Sequence, residues 1–368
     1  MVTLHSTAVE ADLDPDYTLN AYAYDLPPEQ IAQNPAVPRD HSRLLHITPD
    51  RQLQHHHFYD LPQFLRAGDL ILLNNTKVIP ARMFGTKHSG VAVEILLMEP
   101  IGTNRWLALV KPGKRLPVGS TIIFNDNVTA TVEGIEPNTR ARELQFHITD
   151  GMDLLTVIDQ LGQVPFPPYV TASDALSEQY QTIYAAVPGA IAAPTAGLHF
   201  TDKLFAELDV MGVQRDFITL HVGLGTFRPV ETENITEHIM HSEWFSVSEQ
   251  VIEKIKATKA NGGRVIAVGS TVVRAIESTK MQPFEGKTNL MIYPGYQWQV
   301  LDGIITNFHL PKSTLLMMMA AFLGADGREF LLSSYKVAIE AGYRFYSFGD
   351  AMLMWSGQSG KLHQQSMH

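Results

Sequence analysis

Between residues 77 and 148 the chain breaks into short apolar segments of strand type: VAVEILLM, RWLALVK, STIIFN, VTATVEGI and ELQFHI. Turn sequences such as EPIGTN and KPGKRLPVG separate them at regular spacing. Short strands at this rhythm close into a small antiparallel barrel or sandwich. On either side the pattern changes. GDLILLNN (68–75) is one continuous apolar run after a glycine, the mark of a strand buried on both faces. After residue 150 helical stripes alternate with strands. DLLTVIDQL sets Leu154, Leu155, Ile158 and Leu161 on one face, and Thr201 caps a helix carrying Leu204, Phe205, Leu208 and Met211. Ser246 and Glu249 read as a capping box before Val251, Ile252 and Ile255, and Gly262–Gly263 stops that helix. RVIAVGST is a strand leading into the helical VVRAIESTK. NLMIY, VLDGIITNF and YRFYSF read as further strands, with helices at 313–324 and 327–341. DLPPEQIAQ (25–33) starts a short helix after two prolines.

The fold expected is therefore α/β. A larger discontinuous α/β domain (21–75 and 150–355) carries an inserted small antiparallel β-barrel domain (76–149). Residues 1–20 are expected as a flexible leader and 356–368 as a flexible tail.

A chain of 368 residues exceeds one ordinary core, and its 45% hydrophobic and 18% charged residues are a globular balance. The longest apolar run, Leu315 to Leu323, falls far short of a membrane span. The first residues, MVTLHSTAVEADLD, lack the basic start and apolar core of a secretory signal, so a cytoplasmic protein is expected. There is no cysteine, which excludes disulfides, thiolate zinc sites, cysteine nucleophiles and cysteine-ligated iron–sulfur clusters. Difficult chemistry must then come from an activated substrate or an organic cofactor. The net charge of −10 leaves RNA binding only to a local basic face. VKPGKRLP, with Lys111, Lys114 and Arg115, is the candidate face; the alternative is a solvated hairpin tip.

Two stretches carry histidine on small-residue turns. APTAGLHFT (193–201) lets the backbone approach a ligand closely, and it feeds the helix capped by Thr201, whose unpaired N–H groups suit an anion. The alternative is a strand–turn–helix corner with His199 merely hydrogen-bonded. TLHVGLGTFRPV (219–230) brings His221, Gly223, Gly225, Phe227 and Arg228 into a second such turn. It lacks the third glycine of a dinucleotide fingerprint, and a glycine-rich hairpin is the other reading. HIMHSEWF (238–245) spaces His238 and His241 by three, a poor zinc signature without further ligands, and HHH at 55–57 reads as a loop or strand edge; no metal is expected. Glu243 beside Trp244 is a candidate base, or an exposed carboxylate. Arg274 opens a helix after a buried strand, where open α/β sheets place ligands; its alternative is a surface salt bridge. Rings at Phe166, Tyr169, Tyr293, Tyr296 and Trp298 stand beside prolines and could stack a purine or fill the core.

Taken together, YDLPPEQIAQ, RDHSRLL, GDLILLNNTKVIPAR, FPPYV, YQTIYA, APTAGLHFT, TLHVGLGTFRPV, HIMHSEWF, GGRVIAVGSTVVRAIES, IYPGYQW, DGIITNFHLPKSTLLM and YRFYSFGDAML resemble the S-adenosylmethionine:tRNA ribosyltransferase-isomerase family of queuosine biosynthesis. The likeness runs in order from about Tyr24 to Met354. The family more often has Asp at position 75 and Thr-Thr-Ser at 270–272, where this chain has Asn75 and Ser270-Thr271-Val272.

The resemblance implies transfer of the ribosyl part of S-adenosylmethionine, as co-substrate, to 7-aminomethyl-7-deazaguanine at the wobble position of a tRNA with a GUN anticodon. The product is epoxyqueuosine, adenine and methionine leave, and no metal takes part. A base must take a proton from the carbon beside sulfur, adenine must be protonated or otherwise helped to leave, and near-neutral imidazoles suit such transfers. On this reading His199 and His221 are the acid–base candidates, with Asp350 and Glu243 behind them. Thr195, Gly197, Phe200, Gly225, Thr226 and Arg228 line the cofactor pocket, and Arg274 pairs with the methionine carboxylate. Arg39, Arg43, Lys111, Lys114, Arg115 and Lys312 are RNA contacts, with Asn307 and His309 facing the RNA or the pocket mouth. A monomer is expected. Two other classes fit parts of the pattern: a methyltransferase using the same cofactor, for which the glycine-rich turn after a first strand is missing, and a nonenzymatic tRNA-binding module.

Overall fold

The structure, a computed structural model, describes residues 14–223, 225 and 229–356. Two sheets organise it. The larger has nine strands in the order Phe284–Thr288, Glu243–Val247, Gln214–Leu220, Leu70–Asn74, Val265–Val268, Gly303–Asn307, Ala351–Trp355, Arg43–Ile47 and Leu53–His57. The four strands from Gln214–Leu220 to Gly303–Asn307 are parallel to one another, and antiparallel pairs flank them on both sides.

Continuous apolar runs are what a doubly covered sheet requires. Leu70, Leu72, Val265, Ala267 and Ile304 pack on one face, beneath the helices Glu249–Ala260, Ser270–Ser278, Thr314–Leu323 and Gly327–Glu340. Ile71, Leu73, Ile266, Val268 and Ile305 pack on the other, against the helix Asp202–Val210 and the turns of Phe58–Phe64. The tripled histidines close the run Leu53–His57, an edge strand paired only with Arg43–Ile47.

The second sheet is a barrel of strands Arg82–Thr86, Ala92–Gly102, Arg105–Lys111, Arg142–Ile148, Val128–Ile135 and Thr121–Ile123. Thr86 pairs with Ile123 and closes it. A Cβ at Gly85 would lie 2.7 Å from the Ile123 carbonyl oxygen, so closure at that point needs glycine. The mixed α/β fold with an antiparallel barrel is as the sequence rhythm implied. Thr76–Val78 lies outside the barrel, paired in parallel with Val187–Ala190, and Gly162–Gln163 adds a short outer strand beside Arg82–Met83.

Several local expectations differ. Helix Leu154–Leu161 buries Leu154, Val157 and Ile158, and Leu155 faces solvent; the inward stripe runs through i, i+3 and i+4, and position 155 lies about 100° off it. The helix from Glu249 is capped by Ser248, whose Oγ accepts the Val251 N–H, because Ser246 is still in strand Glu243–Val247. NLMIY is not a strand. Leu290 donates its N–H to Thr288 Oγ1 and gives its carbonyl to Arg274, so side chains satisfy this backbone, and the strand there is Phe284–Thr288. YRFYSF winds around the Asp350 carboxylate, which accepts the N–H of Arg344, and the strand follows at Ala351–Trp355. The turn after Asp25 shrinks to Pro28–Gln30. Residues 14–20 are tied down: Asp16 pairs with Arg328, and Leu19 donates its N–H to the Glu233 carbonyl. At the other end the Ser356 N–H bonds Asp302.

A candidate cofactor cleft between sheet and barrel

The parallel strands end side by side at Asn74, Leu220, Val268 and Asn307. Open α/β sheets bind ligands outside these carboxyl ends. Two cavities open there. The smaller, about 110 Å³, is walled by Ala193–Ala196, Gly269–Thr271 and Thr306–Leu310. The larger, about 890 Å³, lies between sheet and barrel, with His221, Gly223, Glu243 and Trp244 on one wall and Met98, Trp106 and Leu107 on the other. Val222 borders both, and Ile191 donates its N–H to the Val222 carbonyl at 2.9 Å. The segment that leads into the turn at 193–201 is thereby fastened to the turn at 219–230. Only the larger cavity is of the size that small-molecule sites occupy, about 300–1,000 Å³.

His221 is built into that wall. Its Nδ1 shares a hydrogen bond with Thr76 Oγ1 at 2.8 Å, and its ring stacks on Trp244 with centroids 4.9 Å apart. Gly189 passes so close that a Cβ there would sit 2.7 Å from His221 Nε2. Thr76 and Gly189 belong to the paired segments Thr76–Val78 and Val187–Ala190, so one two-stranded ribbon grips the imidazole. Burial pushes its pKa down to about 4, which leaves the ring neutral at neutral pH.

His199 sits elsewhere. Its Nδ1 is 2.7 Å from Ser42 Oγ, its ring stacks on Phe58 at 4.9 Å, and it is buried behind the turn rather than in either cavity wall. Burial drives its pKa down to about 4, against an opposing pull from Asp350, and Asn307 also favours the charged ring. Its Nε2 has no partner in hydrogen-bond geometry. Asp350 is committed to the fold: it accepts the N–H groups of Arg43 at 3.0 Å and Arg344 at 2.8 Å and pairs with the Arg344 guanidinium.

Glu243 and Arg274 find each other. They form a buried ion pair, each side chain 5% exposed. Glu243 also accepts the Gly223 N–H at 3.1 Å, and Arg274 donates to the Leu290 carbonyl at 3.1 Å. Arg274 thus braces the His221 turn through Glu243 and does not line either cavity. Of the other pocket candidates, Thr195 lines the smaller cavity and Gly225 the larger. Gly197 packs on Tyr184, whose hydroxyl would lie 1.9 Å from an added Cβ, and Phe200 is fully buried against Phe58 and Phe205. Thr226 and Arg228 lie outside the described residues.

Three further residues brace or border these cavities, among them His309, which was expected to face the RNA or the pocket mouth. Asn74 bonds both backbone groups of Leu220, accepts the Thr76 N–H and reaches Thr271 Oγ1 at 3.3 Å, so it locks three elements of the cleft. His309 lines the smaller cavity, its Nε2 bonded to Thr306 Oγ1 at 3.0 Å, and burial pushes its pKa down to about 3. Tyr180 borders the same cavity, and its hydroxyl, like Asn307 Oδ1, is buried without a partner in hydrogen-bond geometry. The signal for Asn74 and His309 was positional: each stands at or just past the carboxyl end of a continuous apolar run.

The basic candidates divide. Arg39 donates to the carbonyls of Gln181 and Glu178, Arg43 donates to Ala341 and lies over the Tyr343 ring, and Lys312 bonds Asn20. Lys111, Lys114 and Arg115 are exposed. Among the described residues no group of three or more metal-ligating side chains gathers, and none of their helices is long and apolar enough to cross a membrane.

A family model described as "Queuosine biosynthesis protein" matches residues 19–354. A protein of Nostoc sp. (strain PCC 7120 / SAG 25.82 / UTEX 2576), named S-adenosylmethionine:tRNA ribosyltransferase-isomerase, is 53% identical, covering 95% of this chain and 94% of its own. A protein of the same name from Moorella thermoacetica (strain ATCC 39073 / JCM 9320) is 47% identical over 91% of this chain and 99% of its own. The crystal structure of S-adenosylmethionine tRNA ribosyltransferase from Thermotoga maritima is 33% identical, covers 92% of this chain and 99% of its own, and superposes with a TM-score of 0.51.

Proposed function

Because the chain belongs to the S-adenosylmethionine:tRNA ribosyltransferase-isomerase family of queuosine biosynthesis, we propose that the cleft between its sheet and barrel brings S-adenosylmethionine to a tRNA base. The ribosyl part of the co-substrate passes to the aminomethyl group of 7-aminomethyl-7-deazaguanine in the wobble position of a GUN-anticodon tRNA. Epoxyqueuosine forms there, with adenine and methionine released. The observation that carries this reading is the Ile191–Val222 bond, which holds together the segments that wall two neighbouring cavities at Val222.

The residues fit such a ligand. The smaller cavity ends on the N-terminus of helix Ser270–Ser278, whose free N–H groups suit the methionine carboxylate in place of Arg274. Tyr180 and Asn307 leave buried polar atoms there, each costing about 1–3 kcal/mol until a ligand group meets it. His221 and His309, both neutral, add no positive charge beside a sulfonium. His221 is the base that takes a proton from the carbon beside sulfur, with Thr76 and Trp244 holding its ring. His309 serves the departing adenine. His199 supports the wall from behind. The barrel presents Lys111, Lys114 and Arg115 to the RNA, so the inserted barrel and the surrounding α/β unit act as docking and catalytic domains.

Incubation with S-adenosylmethionine and tRNA bearing the deazaguanine base tests the reading. Free adenine and a mass gain on the anticodon base are expected. S-adenosylhomocysteine would identify a methyltransferase, and RNA binding without consumption of the co-substrate a binding module.

A further inference from the structure

The barrel's unneutralised cations meet at one turn, and a buried arginine builds it. We propose that the segment Lys111–Leu116, locked from beneath by Arg142, is a preformed platform that docks the phosphate backbone of RNA beside the larger cavity. The proposal rests on the proposed RNA substrate.

Arg142 is 5% exposed, unusual for a residue that almost always stays at the surface. Its Nε donates to the Leu116 carbonyl at 2.7 Å, Nη2 to Gly113 at 2.6 Å and Nη1 to Arg140 at 2.5 Å. Lys87 Nζ donates to the Arg115 carbonyl at 2.7 Å. Leu116 is fully buried and pins the end of the turn. The carbonyls of residues 113 and 116 are thus taken up from within by Arg142, and that of Arg115 at the surface by Lys87. What the turn presents outward is Lys111, Lys114 and Arg115.

None of those three side chains has an acidic partner among the described residues; the barrel's ion pairs are made elsewhere. Glu94 stands opposite Lys111 in the strand ladder, yet it pairs with Arg82 at 3.4 Å. With Lys87, Arg140 and Arg142 nearby, six cations share this corner of a chain whose net charge is −10. Self-repulsion at such a corner is relieved by a polyanion. The guanidinium fork fixes the turn beforehand, so little side-chain and backbone order must be gained on binding. The location also fits. Arg140 follows directly on Thr139, which with Glu136 borders the larger cavity, so a backbone held at the platform lies next to the cavity mouth.

The test uses the full chain and an unmodified tRNA transcript with a GUN anticodon, its Kd measured from about 50 to 200 mM salt. Lys114→Ala/Arg115→Ala should weaken binding about 10-fold and flatten the log–log salt slope by about 0.7–0.9 for each phosphate no longer neutralised. Binding of S-adenosylmethionine alone should not change. Arg142→Lys keeps the charge and loses the fork; with tRNA bearing the deazaguanine base as substrate, it should raise the KM for RNA more than it lowers kcat. The surface pair decides the matter even if the Arg142 variant fails to fold. Wild-type affinity and slope in the double variant would overturn the proposal. Salt-dependent RNA binding by the wild type, with no adenine released from S-adenosylmethionine and tRNA bearing the deazaguanine base, would instead overturn the reaction and leave the platform standing.

Discussion

Ile191 gives its N–H to the carbonyl of Val222 at 2.9 Å, and that bond fastens the segment entering the His199 turn to the His221 turn. Two residues before Ile191, Gly189 presses against the His221 ring with φ +150°. Gly189→Ala would place a methyl group 2.7–2.9 Å from the imidazole and strain the backbone. We expect about 1–3 kcal/mol of lost stability in urea unfolding and a larger loss of adenine release than of co-substrate affinity. Wild-type turnover in this variant would mean that the ring position is unimportant.

The Glu243–Arg274 pair makes a different prediction. Both side chains are buried, so Arg274→Met takes the guanidinium away from a buried carboxylate that keeps the Gly223 N–H. Removing one partner of a buried pair costs about 3–5 kcal/mol. Glu243→Gln keeps an acceptor for Gly223 and should cost clearly less. Equal stabilities of the two variants in chemical denaturation would contradict the bracing role.

Acid should destabilise the fold in a defined window. His199, His221 and His309 have folded-state pKa values of about 4, 4 and 3, all below the ordinary histidine value. Between about pH 6.5 and 4 the unfolded chain binds protons that the folded chain refuses, so stability falls as pH falls through that range. Thermal melts should show Tm dropping from pH 7 to 5. A flat or rising Tm over those values would mean the three rings are not held neutral by burial.

The barrel and the parallel core were legible because each has its own periodicity. Five regularly spaced short segments gave five of the six barrel strands, the closing strand Arg82–Thr86 not being among them, and runs such as Leu70–Asn74 and Val265–Val268 had to be covered on both faces. Where side chains replace strand partners, periodicity misleads: Leu290 bonds Thr288 and Arg274, and Tyr343–Phe348 wraps Asp350. The site was half legible. Small residues marked two turns that border the cavities, but they did not tell cavity lining from packing. Gly197 is small because Tyr184 lies against it, and Arg274 stands at a helix start yet faces Glu243. Sequence spacing carries no information about which way such a side chain turns.

His199 and His221 should behave differently when truncated. His199→Ala removes a ring stacked on Phe58 and leaves the Ser42 hydroxyl without its partner. A loss of about 2–4 kcal/mol is expected, with adenine release surviving in the folded fraction. A fully stable His199→Ala protein that releases no adenine would return His199 to the chemistry. His221→Ala should keep co-substrate binding and lose about 10²–10⁴-fold in turnover, the usual worth of a positioned base.

The most direct measurement is a crystal structure of the chain with S-adenosylmethionine bound. The account predicts the methionine carboxylate at the start of helix Ser270–Ser278 and the carbon beside sulfur within about 3–3.5 Å of the His221 ring. A co-substrate lying away from Val222 and both turns would contradict it.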